Sequence, residues 1–298
     1  MPENFSNAPT PLVKWVGGKR QLQGPIISKI LEVFDPKTGT YFEPFFGGGA
    51  IFFALNPRKA VASDVNSGLV NLYSLVTHKP DQVTSHLVTL ENQYNKLDEI
   101  AQQKFYYDKR SLFNAKTDAG LFLNRQGLEG AALFLFLNKA GFNGMYRENA
   151  TGEFNIPFGK RDRISLFGDS NINLASSALQ NLEVFNQDYS ETVRGAQPGD
   201  IVYFDPPYAP LSKTSSFEGY NSQNLGGFDQ VGLRDLFVDL TVRNVHCIVS
   251  NSSAESIEAL YADFNMEPLT ASRAISASPA GRKKVKEYLI DNFEQVQR

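Results

Sequence analysis

A carboxylate, two prolines and a tyrosine follow one another at Asp205-Pro206-Pro207-Tyr208, directly after the run Ile201-Val202-Tyr203-Phe204. That run is short, apolar, β-branched and aromatic, the pattern of a buried strand. An acid at the end of such a strand projects into the crevice where open α/β sheets bind ligands. The prolines remove two backbone donors and stiffen the turn, leaving carbonyl oxygens to accept. Tyr208 adds a π-surface. A donor-poor, acceptor-rich pocket suits holding a planar amino group against a second ligand. Methyl transfer to the exocyclic nitrogen of a nucleobase needs such a pocket.

A second constellation lies earlier. Thr40-Tyr41-Phe42 reads as a strand and leads through Glu43-Pro44-Phe45-Phe46 into Gly47-Gly48-Gly49, just before an apolar helix start. Glycines there let the backbone approach a ligand closely. Asp64 ends the next strand, Ala60-Val61-Ala62-Ser63, where an acid can accept both hydroxyl protons of a ribose. The glycines are consecutive rather than spaced G-x-G-x-x-G, and Glu43-Pro44 precedes the turn where a dehydrogenase would continue its strand. An adenosine-bearing ligand without a pyrophosphate fits better than a dinucleotide. Upstream, Lys14-Trp15-Val16-Gly17-Gly18-Lys19 adds a cation source. Lys19 can pair with a carboxylate and Trp15 can cover it.

The elements that position these residues alternate in type. Strand patterns recur at 182–185, 201–204, 245–249 and 285–290, and helical spacing fills about 71–116, with Leu87, Leu90, Tyr94 and Leu97 on one face. A further helix is expected over Gly130 to Asn138, and a polar Gly/Asn-rich stretch over 141–163. The expected fold is α/β, a Rossmann-like sheet with an inserted, mostly helical unit. Residues 1–70 and 176–298 form the catalytic part and 71–175 the insertion. Residues 1 to 9 read as a loose tail, and Gly219 to Phe228 as a mobile loop over the site.

Composition fits a cytoplasmic enzyme: 42% hydrophobic and 20% charged residues over 298 positions. No apolar run reaches the roughly 18 residues that a membrane span needs, and Met1-Pro2-Glu3-Asn4 lacks the start of a secretory signal. The single cysteine, Cys247, excludes an internal disulfide, and His78, His86 and His246 show no zinc-type pairing; no metal is expected. Cytosine C5 methylation, which needs an attacking thiolate, is disfavoured because Cys247 lies in an apolar strand. The net charge of −3 argues mildly against nucleic acid. Local clusters argue the other way: Lys160-Arg161-Asp162-Arg163, Arg282 to Lys286, and Lys104 with Lys109 and Arg110.

Taken in order, Lys14-Trp15-x-Gly17-Gly18-Lys19, Glu43-Pro44-Phe45-x-Gly47-x-Gly49, Asp64, an inserted region and Asp205-Pro206-Pro207-Tyr208 resemble the Dam-type, alpha-class DNA adenine-N6 methyltransferases. Phe217-x-x-Tyr220 with Phe228 looks like the family's aromatic loop, Ser250-Asn251-Ser252 like a family turn, and Arg273 to Glu287 like its C-terminal block. The resemblance spans nearly the whole chain. It implies S-adenosylmethionine as methyl donor, with Trp15 and Lys19 at its methionine end, Glu43, Phe45, Gly47 and Gly49 around it, Asp64 at its ribose and Asp188 at its adenine. Asp205 then sits between donor and acceptor, with Pro206 and Pro207 at its side and Tyr208 stacked on the target base.

The partner so implied is double-stranded DNA. Asn138 to Arg147 has the form of a hairpin whose turn holds Asn143-Gly144, within an element of about 138–158. It is similar to the recognition hairpin of family members that methylate GATC. By that resemblance Arg147 reads a guanine, Phe142 and Asn143 insert near the vacated base position, and Met145 and Pro157 make apolar contacts. Lys139, Lys160 and Arg161 hold phosphates; Lys139 departs from an arginine common in relatives. A cognate restriction endonuclease is a partner that the resemblance allows. Alternatives left open are a cytosine-N4 or RNA amino-methyltransferase, a non-catalytic DNA-binding protein on the same fold, and a nicotinamide dehydrogenase.

Overall fold

The computed structural model describes residues 9–166, 172–210, 228–272 and 284–296. In chain order its elements are α1 (Gln23–Ile30), β1 (Tyr41–Glu43), α2 (Ala50–Leu55), β2 (Ala60–Ser63), α3 (Ser67–His78), α4 (Pro80–Tyr94), α5 (Glu99–Asn114), α6 (Gly127–Ala140), α7 (Ile172–Leu179), β3 (Leu182–Phe185), α8 (Tyr189–Thr192), β4 (Ile201–Phe204), α9 (Gln230–Val242), β5 (His246–Ser252), α10 (Glu255–Leu260), β6 (Asn265–Ser272) and β7 (Lys284–Asp291). Two compact units share them: residues 1–18, 47–56 and 64–186 in the first, and residues 19–46, 57–63 and 187–298 in the second. Among the described residues no helix is long and apolar enough to cross a membrane.

The second unit is a mixed α/β layer. Its strands run in the order β2-β1-β4-β5-β7-β6. β1 pairs parallel with both β2 and β4, and β4 parallel with β5, whereas β7 runs antiparallel between β5 and β6. β4 is buried along its whole length, as the unbroken apolar run requires of a strand covered on both faces. Its core gathers Val202, Phe204, Phe237, Leu240, Val249 and Ile290, with Cys247 among them. Chain connections diverge from β1 to opposite sides, which makes the carboxyl ends of β1 and β4 the switch point where such sheets bind ligands.

The first unit is helical, with β3 as its one described strand. Its centre is α6, where every residue from Ala131 to Leu137 is buried. A helix apolar all round belongs inside a bundle. The helical stretch expected over 71–116 is three helices: α3 gives way to α4 at Lys79–Pro80, and α4 to α5 before Asp98. Proline is favoured at a first helical position, and Asp98 caps α5 by accepting from the Ala101 N–H at 2.9 Å. Leu87, Leu90 and Tyr94 face the interior, but Leu97 lies in the connection.

One strand is added and one expectation is corrected. β6, where no strand was expected, carries Pro268 in its middle. It is an edge strand hydrogen-bonded to β7, where proline is tolerated. The hairpin exists, but its turn is not Asn143-Gly144. Its arms join at Asn149–Gly152, where the Gly152 N–H donates to the Asn149 carbonyl at 2.9 Å and Gly152 takes a φ of +77°. Bonds from Asn149 N to Glu153 O, Asn155 N to Arg147 O, and Phe142 N to Pro157 O tie the arms together. Asn143-Gly144 is a tight reversal inside the first arm, with φ of +56° and +66°.

Candidate active site

In the second unit, β4 delivers Asp205 to the switch point. Its Oδ1 receives a salt bridge from Lys19 Nζ at 2.8 Å and a hydrogen bond from Ser250 Oγ at 3.0 Å. Tyr203 Oη stands 2.9 Å from the same serine. Among the described residues, Oδ2 makes no bond. Burial pushes the Asp205 carboxyl above the usual carboxylate range, and the Lys19 charge is the largest influence pulling it back.

The turn after Asp205 is clamped from the next strand and helix. Gln230 Nε2 donates to the Pro207 carbonyl at 2.7 Å, and Asn251 Nδ2 donates to Gln230 Oε1 at 2.9 Å. Asn251 Oδ1 accepts from Ala209 N, and Ser252 Oγ donates to the Ala209 carbonyl. The Pro207 carbonyl thus already accepts one bond, whereas among the described residues the Pro206 carbonyl accepts none. Tyr208 donates to Glu287 Oε2 at 2.7 Å, and Lys19 Nζ sits 4.6 Å from the centre of its ring. Burial and the neighbouring acids Asp205 and Glu287 push the Tyr208 hydroxyl far up, so it stays a donor.

At the end of β1, Glu43 is buried and accepts from the Tyr41 hydroxyl at 2.9 Å. Phe45 stacks on Tyr189 at 5.3 Å, and Phe228 meets Phe45 edge-on at 5.4 Å. Asp188, beside them in sequence, is exposed and caps α8 by accepting from the Ser190 N–H and hydroxyl. These rings make an aromatic patch next to a carboxylate, a chemistry suited to an adenine.

The first unit holds the glycine turn. Gly47 and Gly49 have φ of +47° and +65°, a conformation that costs other residues but not glycine. A Cβ on Gly47 would lie 2.6 Å from the Trp15 indole, so the turn's backbone rests on that ring. Asp64 Oδ2 accepts from the Gly47 N–H at 2.9 Å and Oδ1 from the Asn66 N–H at 2.8 Å. Burial raises its pKa against those two bonds. Each oxygen keeps a second lone pair, which fits a ribose diol. In the second unit Lys19 pairs with a carboxylate, and that carboxylate is the chain's own Asp205.

The first unit also carries the DNA-reading candidates. Phe142, Asn143, Arg147, Pro157, Lys160 and Arg161 are exposed, and Met145 is half-buried. Arg147 donates from Nε to Asn155 Oδ1 at 2.8 Å; among the described residues its two terminal nitrogens make no bond, the pair a base edge requires. Lys14, Lys139, Arg161 and Arg163 line one cleft beside Gly144. Phe217, Tyr220 and Arg282 lie outside the described residues, as does most of the Arg273 to Glu287 block.

The D12 class N6 adenine-specific DNA methyltransferase model matches residues 15–275. The chain belongs to that family. It is 36% identical to the Type II methyltransferase M1.LlaDCHI of Lactococcus lactis subsp. cremoris, over 95% of each chain. It is 34% identical to the Type II methyltransferase M.MjaIII of Methanocaldococcus jannaschii, over 95% of this chain and 99% of that one. The DNA adenine methylase of Escherichia coli K12 shares 30% identity over 93% of each.

The methyltransferase thus unites, in its second unit, Lys19, Asp205 and Tyr208 around one ion pair, and Phe45 with Tyr189. Sequence reasoning missed Gln230, Glu287 and Tyr203 as the groups that hold this arrangement. Gln230 and Glu287 lie far along the chain and left no signal, and Tyr203, two residues before Asp205, reads as one more apolar strand position because its partner Ser250 comes from another strand. Tyr146, also missed, is taken up below.

Proposed function

We propose that this N6-adenine DNA methyltransferase uses S-adenosylmethionine and acts on GATC in duplex DNA. The observation that carries the reading is Asp205: Oδ1 is immobilised by Lys19 and Ser250, and Oδ2 is left as an acceptor for the amine. When bound, S-adenosylmethionine supplies an electrophilic methyl group.

The chain's residues supply the rest. The N6 amine of adenine is a poor nucleophile because its lone pair is delocalised into the ring. Asp205 Oδ2 and the Pro206 carbonyl accept hydrogen bonds from its two N–H groups, which draws the nitrogen toward a tetrahedral form and turns its lone pair outward. Positioning and preorganised charge provide most of the rate. The surplus proton passes to Asp205 or to water after the methyl is received. Tyr208, with Lys19 on its ring, stacks on the base, whose extrusion from the duplex costs a few kcal/mol. The residues we assign to the donor are Trp15, Lys19, Glu43, Phe45, Gly47, Gly49, Asp64 and Asp188.

Residues 71–175, which lie wholly within the first compact unit, are the DNA-reading insertion, and 1–70 with 176–298 carry catalysis. Arg147 reads a guanine, Phe142, Asn143, Met145 and Pro157 contact bases, and Lys139, Lys160 and Arg161 hold phosphates. Relatives named Type II methyltransferases support a cognate restriction endonuclease as partner, with the enzyme working in the cytoplasm.

The test is transfer of labelled methyl to two duplexes of equal composition, one with GATC and one with the site scrambled. Label on the GATC duplex alone, absent with Asp205→Ala, supports the reading. Label on both removes GATC, and label on neither removes the reading as a whole.

A further inference from the structure

The glycine turn and the recognition arm share one aromatic stack within the first unit. Trp15, on which the Gly47 backbone rests, stacks on Tyr146 at 5.2 Å and 18°. Tyr146 in turn stacks on Phe134 of the buried helix α6 at 4.8 Å and 22°, and its ring lies 5.3 Å from Phe154 on the opposite arm. The Tyr146 hydroxyl donates to Glu148 Oε1 at 2.5 Å, and the same oxygen pairs with Arg125 at 2.7 Å. Arg125 also donates to the Gly152 carbonyl at the hairpin turn, at 2.7 Å. Arg147 stands between these two anchored residues and bonds instead to Asn155. Alternation along an extended segment accounts for this: neighbours one apart face opposite sides.

On the other side, Asn66 holds the carboxylate that the glycine turn meets. Its N–H donates to Asp64 Oδ1 at 2.8 Å, and its side chain acts on the Tyr146 hydroxyl against the upward pull of burial and of Glu148. Tyr146 therefore touches, through Trp15, the glycine turn proposed to meet the donor, and it adjoins in the chain the backbone that carries Arg147.

We propose that Tyr146 is a positioning residue that couples the two ligands: its stack on Trp15 makes donor and target duplex bind with positive cooperativity. The inference rests on the donor and DNA reading given above. Rings in contact cannot shift singly in a close-packed interior. A ligand that presses on the Gly47 turn and its indole re-seats Tyr146, and Tyr146 is adjacent in the chain to Arg147. Coupling of this kind is reciprocal: the factor by which duplex tightens the donor equals that by which donor tightens the duplex.

Trp15 is the only tryptophan of the chain, so its emission reports this stack without a label. The experiment uses the full chain, S-adenosylhomocysteine as a non-reacting probe and a GATC duplex. Binding of each is measured alone and in the presence of the other. Wild type should show a coupling factor of about 5-fold or more, and Tyr146→Leu a factor within about twofold of unity. Tyr146→Phe, which keeps the ring, should keep the coupling. Duplex alone should shift Trp15 emission in wild type and in the Phe variant but not in the Leu variant. Tyr146→Met, with the same expectation, replaces the Leu variant if that does not fold.

Independent binding of both ligands to wild type overturns the coupling while leaving the function intact. Coupling that survives Tyr146→Leu overturns the part of Tyr146. Loss in Tyr146→Phe as large as in Tyr146→Leu overturns the stack as its carrier. Failure of wild type to bind S-adenosylhomocysteine removes the functional reading and this inference with it.

Discussion

Lys19 Nζ lies 2.8 Å from Asp205 Oδ1, with only 6% of the lysine side chain exposed. Each charge is there because the other is: burial raises the Asp205 pKa, and Lys19 is the main influence lowering it. Lys19→Met leaves a buried carboxylate without its cation, so the folded pKa rises further. A raised folded pKa means that the folded chain keeps the proton to higher pH than the unfolded chain. The contribution of Asp205 then favours folding at low pH and is lost as pH rises through that raised value. The variant should lose about 3–5 kcal/mol toward neutral pH, and less in acid. The acid limb of kcat/KM should move to higher pH. Unfolding and methyl transfer from about pH 5 to about pH 9 check both, and an unmoved limb would separate Lys19 from the charge state of Asp205.

Gly47 is the second point of close approach. Its φ of +47° and the 2.6 Å from a built Cβ to Trp15 act together against any side chain. Gly47→Ala should cost about 1–2 kcal/mol for the left-handed backbone alone, with further cost from displacing the indole. The Trp15 emission maximum should shift in the free protein, and donor affinity should fall. Unchanged emission would show that the turn relaxes away from the indole.

Much of the catalytic half is legible in the sequence for a physical reason. β1, β2 and β4 are short apolar runs that each end in a residue with chemistry: Glu43, Asp64 and Asp205. What holds those residues is not legible. Lys19, Ser250 and Glu287 reach the Asp205 turn from distant parts of the chain, and spacing carries no information about such contacts. The hairpin turn was misplaced for a related reason. Asn143-Gly144 is the stronger local turn signal, and it does adopt positive φ. The pairing of the arms is instead decided by tertiary bonds. Arg110 and Tyr106 donate to the Ile156 carbonyl, and Asn114 bonds to both the N–H and the carbonyl of Phe154.

Arg147 and Arg161 should separate base reading from phosphate holding. Arg147→Ala should cost about 1–3 kcal/mol at one base pair of the target and relax preference there. Arg161→Ala, at the cleft with Lys14 and Lys139, should weaken every duplex alike. It should also reduce the slope of log K against log salt by about 0.9. Competition binding with single-base variants of the site, repeated over a salt series, reads both. Equal loss on every sequence for Arg147→Ala would remove its base-reading role.

The relocated turn yields the last prediction. Asn149 Oδ1 accepts from the Thr151 N–H at 3.0 Å, the Thr151 hydroxyl at 2.7 Å and the Glu153 N–H at 2.9 Å. One side chain thus organises the reversal that joins the arms. Asn149→Ala removes all three bonds at an exposed site where water can replace them, so overall stability should fall by only about 0.5–1.5 kcal/mol. The arm itself should loosen more, since its pairing starts at this turn. Amide exchange over 145–155 should quicken, and affinity for the target duplex should drop. Asn143→Gly is the contrast. Glycine adopts positive φ without cost, so exchange along the arm should stay slow while the side chain proposed for base insertion is lost. If Asn143→Gly loosened the arm and Asn149→Ala did not, the hairpin would be organised by Asn143-Gly144 after all, and the register of the arms would have to be redrawn.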